Sequence, residues 1–495
     1  MGVISGALLF IKEDLKINEV QEEVLVASLS FVSLGGGAIA GRLADAVGRR
    51  WTMALAASVF LIGALVMGIA PSFPVLMLGR ILGGLALMVA PVYTAEVSPP
   101  SIRGSLVSLP EIFINFGILL GYISNYAFSG LPVHLAWRVM LGLGILPALS
   151  VVVGVVIMPE SPRWLVMQHR IDEARAVIEK TSDNPEEVEE RLRDIMEAAG
   201  LLDDKNMYSE GADTTGKHVW RELLCPSPPV KRMLLVASGI QFFQQATGID
   251  ATVYYSPEAF KIAGMASKSA IIGGTVAMGF TKCIFILVAV IYLDRLGRRP
   301  LLLMSAAGIT VSLACIALAF SFIETKGQTE MVSGGSSMPP LAVFIVFCVC
   351  CYVASFSIGM GPICWVLTTE IFPLRLRAQA MSMGVVINRL SSTIVSLTFL
   401  SISRAISFTG TYVLFTAISL CSVCFFFFFV PETKGKSLEE ITKFFLSEEK
   451  FSIELADKPQ ANDGDDYDDD EEEEDEEEER EDKHLNLSRS SDYQS

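Results

Sequence analysis

The chain lacks most of what an enzyme of its size draws on. It has four histidines in 495 residues, and none falls in a motif. It carries no phosphate-binding glycine loop, no metal-ligand cluster and no nucleophile constellation. An enzyme is therefore disfavoured, and no cofactor or metal site is expected. Nine cysteines suggest a framework until they are located: Cys283, Cys315, Cys348, Cys350, Cys351, Cys364, Cys421 and Cys424 all sit in apolar runs. Cys421 and Cys424 have CxxC spacing but no second pair and no nearby His, so they read as small packing residues. Basic charge is also scarce, with 38 Lys and Arg against 55 Asp and Glu, which argues against nucleic acid as a partner. No cleavable leader is expected at the amino end, where Gly2–Ile11 is too short to span a bilayer.

What the sequence has is long apolar runs. Hydrophobic residues make up 51% of the chain and come in blocks: Val24–Ala40, Met53–Ala70, Leu131–Met158, Met233–Phe243, Ala270–Leu293, Leu301–Ile323, Leu341–Val366 and Tyr412–Val430. Most approach the roughly 20 residues a helix needs to cross about 30 Å of hydrocarbon. The pattern predicts an all-α membrane protein with a lipid bilayer as its solvent. Eleven full spans and a helix remnant fall in a six-plus-six arrangement around a central polar insert.

The net charge of −17 is a property of one end. Residues 451–495 hold 20 acids against 4 bases, leaving 35 acids against 34 bases elsewhere. The Asp463–Asp482 run repels itself and has nothing apolar to bury beyond Tyr467, so it reads as a solvated, disordered tail whose partner, if any, is unknown. Arg42, Arg49, Arg50, Arg103, Arg163, Arg170, Arg295, Arg298, Arg299, Arg375 and Arg377 recur in alternate loops. Positive residues mark the cytoplasmic side, which places the insert and the tail there. Asn486, formally a glycosylation acceptor, then lies on the wrong side for modification. The insert shows Ala174, Val177, Ile178, Val188, Leu192, Ile195 and Met196 at roughly helical spacing, which predicts short amphipathic helices. The expected organisation is a transmembrane bundle over 1–158, a helical linker over 159–231, a second bundle over 232–431, an amphipathic segment over 432–450 and the tail over 451–495.

The two halves share punctuation. Asp45-x-x-Gly48-Arg49-Arg50 recurs as Asp294-x-x-Gly297-Arg298-Arg299; Glu96 and Arg103 match Glu370 and Arg377 in spacing; Pro159-Glu160 recurs as Pro431-Glu432. Three matches in one order predict a duplicated six-helix unit. Duplicated halves suit alternating access, in which the two rock about a midplane site. The repeated charges, with Arg163, fall at cytoplasmic helix ends, where acid and base can latch the halves and release them. Orientation signals and interfacial solvation are the plainer account of any single one.

The run Gly41–Arg50 resembles the signature loop of the major facilitator superfamily. Pro159-Glu160-Ser161-Pro162-Arg163, Glu370-x-Phe372-Pro373 with Arg377, and Pro431-Glu432-Thr433 resemble its sugar porter branch. Ala90–Glu96, Leu109–Asn115 and Asn388-Arg389-Leu390 are most similar to plant polyol and monosaccharide transporters. The resemblance covers residues 2 to about 446. It implies a major facilitator fold of two six-helix bundles, and proton-linked carriage of a small polyhydroxylated solute across a membrane, with the plasma membrane as the family's expected location.

A polyol presents hydroxyls that donate and accept, so its site needs amides, carboxylates and an aromatic face. The run Gln244–Asp250 puts two amides, a helix-weakening glycine and an acid inside an apolar span, where polar groups usually face a cavity. Gln241, Gln245 and Gly248 share one helical face, with Tyr255 further along it. The resemblance implies that Gln244, Gln245, Asp250 and Tyr254 touch substrate, Asp250 standing where most sugar porters have Asn; helix–helix hydrogen bonding is the alternative for the glutamines. It also implies that Gly361-Pro362 breaks a gating helix whose Trp365 stacks on the sugar, although a lone Trp often serves packing. Asn388 occupies a substrate-amide position by the same resemblance. Arg389, mid-span, is expected to be paired or wet, with Asp250 or Glu111 as candidate partners. Glu111 and Asn115 share a helix face and suit the same cavity.

Two features depart from the family pattern. The first helix begins Met1-Gly2-Val3-Ile4-Ser5-Gly6, so the family's proton-coupling acid would precede Met1, while its arginine partner maps to Arg80. After Arg80 the glycine-rich run is about one helical turn short. These departures keep a second reading open, that of a non-transporting sugar sensor or inactive truncated isoform.

Overall fold

The computed structural model describes residues 2–85, 93, 103–182, 184–198, 226–326, 340–372 and 374–434. Glu96, linker residues 201–225, the segment 435–450 and the acidic tail lie outside the described residues, as do the side chains of Arg103, Asp294 and Arg377.

The described residues form eighteen helices and no strand. The first half holds α1 (Gly2–Leu15), α2 (Glu19–Val47), α3 (Arg49–Gly68), α4 (Phe73–Gly84), α5 (Arg103–Phe128), α6 (Val133–Gly142) and α7 (Ile145–Ile157). The linker supplies α8 (Pro162–Met167), α9 (Ile171–Glu179) and α10 (Pro185–Ala198). The second half holds α11 (Pro228–Ala246), α12 (Ile249–Ile262), α13 (Lys268–Leu296), α14 (Arg298–Lys326), α15 (Pro340–Ile358), α16 (Met360–Ile371), α17 (Leu374–Ile406) and α18 (Phe408–Phe429). Apolar runs of this length become helices because hydrocarbon offers no partner for a backbone N–H or C=O outside the helix itself. Seven stretches are long and apolar enough to cross a bilayer: Arg49–Gly68, Val133–Ile157, Lys268–Leu293, Arg298–Thr325, Pro340–Ile371, Gln379–Ile406 and Phe408–Phe429. α2 and α5, with 29 and 26 residues, reach that length as well.

Local chemistry sets the ends. Asn18 caps α2 by accepting from the Gln21 N–H at 2.8 Å, while Gln21 Oε1 accepts from the Asn18 N–H at 3.0 Å, a reciprocal capping box. Between halves, α2 lies along α17, α5 along α13 and α1 along α12. The close approach of α1 to α5 depends on small residues, since a side chain at Gly2 or Gly6 would collide with Ile118 or Asn125.

The repeat read in the sequence is a repeat in space. Gly48 and Gly297 sit at φ +102° and +93°, positive values that residues with a Cβ rarely adopt, and turn one helix into the next. The N–H groups of Arg49 and Arg50 donate to Glu160 Oε1 at 2.9 and 3.0 Å. Those of Arg298 and Arg299 donate to Glu432 at 3.0 and 3.1 Å. In each half a carboxylate from the last helix's exit thus neutralises the start of another helix, where N–H groups are unpaired and the dipole is positive. Burial raises the Glu432 carboxyl, but N–H donors from Lys434, Arg298, Arg299 and Thr433 outweigh it and hold the group below the ordinary carboxylate value.

The contacts that can be described for the expected latch residues lie within each half. Between described residues, Arg49 pairs with Asp45 at 2.9 Å, Arg298 pairs with Glu370 at 3.1 Å, and Thr433 Oγ1 donates to Glu370 at 2.6 Å. Each is a contact within one half. Arg163 is exposed. In the linker, the residues read at helical spacing pack together: Ala174, Val177, Ile178, Val188 and Leu192 join Leu165 and Val166 in one small core.

Candidate solute-binding site

Two broken helices build the centre of the second half. α11 stops at Thr247, and Gly248, at φ +87°, starts α12. A Cβ at Gly248 would stand 2.8 Å from the Phe415 ring, so neither the conformation nor the space suits another residue. The second break lies at Gly359, between α15 and α16. It falls two residues before the Gly361-Pro362 pair that the sequence pointed to, and Pro362 sits in the first turn of α16, where its missing N–H costs no helical bond.

The amides converge between these breaks. Asn388, fully buried, donates through Nδ2 to Gln241 Oε1 at 3.0 Å and Gln244 Oε1 at 2.5 Å, and Gln245 Nε2 donates to Asn388 Oδ1 at 3.4 Å. Gln244 Nε2 donates to the Met360 and Gly361 carbonyls at 3.1 and 3.0 Å, in the first turn of α16 just after the break. Gln241 Nε2 donates to Thr368 Oγ1 at 3.2 Å. The Gln241 and Gln244 amides are therefore committed to bracing α16 and α17. This favours, for Gln244, the helix–helix role weighed against a substrate contact.

Asp250 accepts from Ser392 Oγ at 2.5 Å, and Ser392 Oγ lies 3.2 Å from Ser30 Oγ of α2. A hydroxyl chain thus links the acid to the first half. No ion pair joins Arg389 to Asp250 or Glu111 among the described residues, and Arg389 Nε is buried without a hydrogen bond. The expected pairing is corrected: Asp250 faces a serine because α17 presents Ser392, one turn beyond Asn388, toward α12. Tyr254 lies within electrostatic reach of Asp250, Arg80 and Arg389. Arg80, 6% exposed, donates through Nε to the Leu25 carbonyl at 3.2 Å. Asn115 Nδ2 donates to the Glu111 carbonyl at 2.7 Å, and Glu111 comes within electrostatic reach of Cys364 in the other half. Trp365 is half-buried.

The site retains unspent capacity of both kinds. Buried acceptor atoms without a hydrogen bond include Gln245 Oε1 and Asn115 Oδ1; buried donors include Arg80 Nη2 and Arg389 Nε; the Tyr254 and Thr252 hydroxyls can act either way. A solute with several hydroxyls satisfies such a set, and an apolar one does not. Sequence reading missed Ser30, Ser392 and Thr368, and left Gln241 outside the site. A signal existed for part of this: Asn388, Ser392 and Ser396 recur every four residues, a polar stripe on an otherwise apolar helix.

The family model described as sugar (and other) transporter matches residues 1–445. Two proteins of Arabidopsis thaliana are similar over most of their length. The probable polyol transporter 4 is 52% identical over 92% of this chain and 84% of its own, and polyol transporter 5 is 48% identical over 90% and 83%. The glucose transporter GlcP of Staphylococcus epidermidis is 35% identical over 89% of this chain and 92% of its own. Among solved structures, the proton:xylose symporter XylE bound to 6-bromo-6-deoxy-D-glucose superposes with a TM-score of 0.71 at 27% identity, over 90% of this chain and 95% of that one.

Proposed function

The chain belongs to the sugar transporter family, and from that premise we propose that it carries polyols and monosaccharides across a bilayer in symport with protons. It is a multi-pass membrane carrier of the major facilitator fold and not an enzyme. The observation that carries the substrate class is the set of unspent donors and acceptors around Gln245, Tyr254, Arg80 and Asn115, buried between apolar helices. In this reading Gln245, Tyr254, Asp250, Glu111 and Asn115 bind solute hydroxyls, Asn388 and Gln244 hold the amide cluster in place, and Trp365 covers the apolar face of the solute. Arg80 serves proton coupling, supported by its burial and by Tyr254 beside it.

The units that move are the bundles over 1–158 and 232–431, supported by the matching carboxylate contacts in each. The loops rich in arginine lie at the end where the linker joins, which supports a cytoplasmic linker and tail; the plasma membrane is the location expected from the family resemblance. The full chain in proteoliposomes tests the reading. An inward proton gradient is expected to drive accumulation of labelled sorbitol, with mannitol, inositol and glucose competing and a protonophore abolishing uptake. Binding of these solutes with no flux would overturn it in favour of a sensor.

A further inference from the structure

At the end away from the linker, the turn between α1 and α2 meets the ends of α12, α13 and α17, and charged groups join the halves there. Glu23, 3% exposed, accepts from the Ser401 N–H at 2.7 Å and from Ser401 Oγ at 2.8 Å. One turn earlier on the same helix face, Glu19 pairs with Arg404. Lys268 Nζ reaches Glu13 at 2.5 Å. Lys12 pairs with Glu22 at 3.0 Å and stands 3.9 Å from Glu258 of α12.

The charges are sorted by half. Glu13, Glu19 and Glu23 come from the first, and meet Lys268, Arg404 and the Ser401 donors of the second; Lys12 and Glu258 complete the seam with the opposite polarity. Beneath it a cavity of about 10 Å³, room for about one water, is lined by Ser5, Leu9, Lys12, Glu22, Tyr254 and Glu258. Glu23 needs its donors only while it is buried. Once the halves tilt apart at this end, water replaces Ser401, so the contact has two satisfied states and suits a switch.

We propose that the Glu23–Ser401 contact, flanked by Glu19–Arg404 and Glu13–Lys268, is the gate that shuts the solute path at the end away from the linker. The inference rests on the alternating-access reading above. Disturbing the seam shifts the protein toward the state open on that side.

The test uses the full chain in lipid nanodiscs with Leu9→Cys in the cavity, reading the rate of reaction with a membrane-impermeant maleimide after subtracting the rate of the chain without that cysteine. Glu19→Arg or Arg404→Glu alone is expected to raise the rate about fivefold or more, since each places like charges together. The two combined are expected to return it to within about twofold of the starting chain. Glu23→Gln is expected to raise it as well. Single reversals that leave the rate unchanged, or a double reversal no closer to the starting rate than the singles, would overturn the gate. Counterflow of labelled sorbitol is measured in parallel on the same proteins in vesicles. Unchanged labelling with intact counterflow removes the gate and leaves the carrier; the expected labelling pattern without counterflow in any protein leaves the gate and removes the transport reading.

Discussion

The two ends of the helix bundle use the same residue, glutamate, to opposite effect. At the linker end, Glu160 and Glu432 each hold the start of a helix in their own half. At the other end, Glu19 and Glu23 reach across to Arg404 and Ser401 of the other half. The difference is one of backbone context. Where a glycine turn leaves N–H groups pointing at the carboxylate, the acid is captured locally and makes each half rigid. Where the acid sits on the flank of a helix, its partner must come from a neighbouring helix, and the contact lasts only as long as the two stay together. One end therefore builds the moving parts, and the other holds them in one of their positions.

The largest effect is expected from breaking the rigid end. Gly297→Val forces a branched residue to φ +93° and sets its Cβ 2.9 Å from Glu432 Oε2, a cost of about 2–4 kcal/mol from strain and the lost contact together. Thermal unfolding in detergent should fall by several degrees, and Gly48→Val should behave alike. A large fall in one and none in the other would mean that the two halves share geometry without sharing energetics.

Glu23→Ala acts on the other end. It leaves the Ser401 N–H and hydroxyl without their charged acceptor, worth about 2 kcal/mol in a buried setting. Hydrogen exchange should accelerate for the amides of residues 401–406 and stay unchanged for Arg49 and Arg298. Equal acceleration at both ends would show that the seam stabilises the whole fold and not one conformation of it.

How much of this was legible in the sequence follows the same division. Apolar runs gave the spans, because hydrocarbon permits almost nothing else, and the repeated Gly-Arg-Arg and Pro-Glu pairs gave the duplication, because the contact they make is local to each half. The break at Gly248 was visible as a weak point, but the one at Gly359 was displaced by Pro362, which marks the first turn of a helix as readily as the end of one. The commitment of Gln244 to the carbonyls of α16 was not legible, since the residues lie more than a hundred positions apart in the chain. Nor was the part played by Glu19 and Glu23 legible: composition does not say which flank of a helix meets the other half.

Acid sharpens the comparison further. Because Glu432 is held below the ordinary carboxylate value, its contribution is fully present above that value and is lost as pH falls through the depressed one. Glu432→Gln should cost about 0.5 kcal/mol at neutral pH, a gap that stays constant on acidification until roughly pH 4 and then closes. A gap that widened below that pH would reverse the sign and mean that the protonated acid is the one the helix start prefers.

The smallest effect separates the buried centre of the seam from its rim. Lys268 and Glu13 are each about half exposed, at 48% and 54%, so water and salt already compete for both charges. Lys268→Gln should change the closed state by no more than about 0.5 kcal/mol at low ionic strength, and by nothing measurable near 1 M salt, where the screening length falls to about 3 Å. Glu23→Ala should keep its full effect at the same salt concentration, because no ion reaches a carboxylate that is 3% exposed. If the two variants lost their effects together as salt rose, the burial of Glu23 would be irrelevant to closure, and the seam would be a diffuse attraction between oppositely charged faces instead of a contact made by particular atoms.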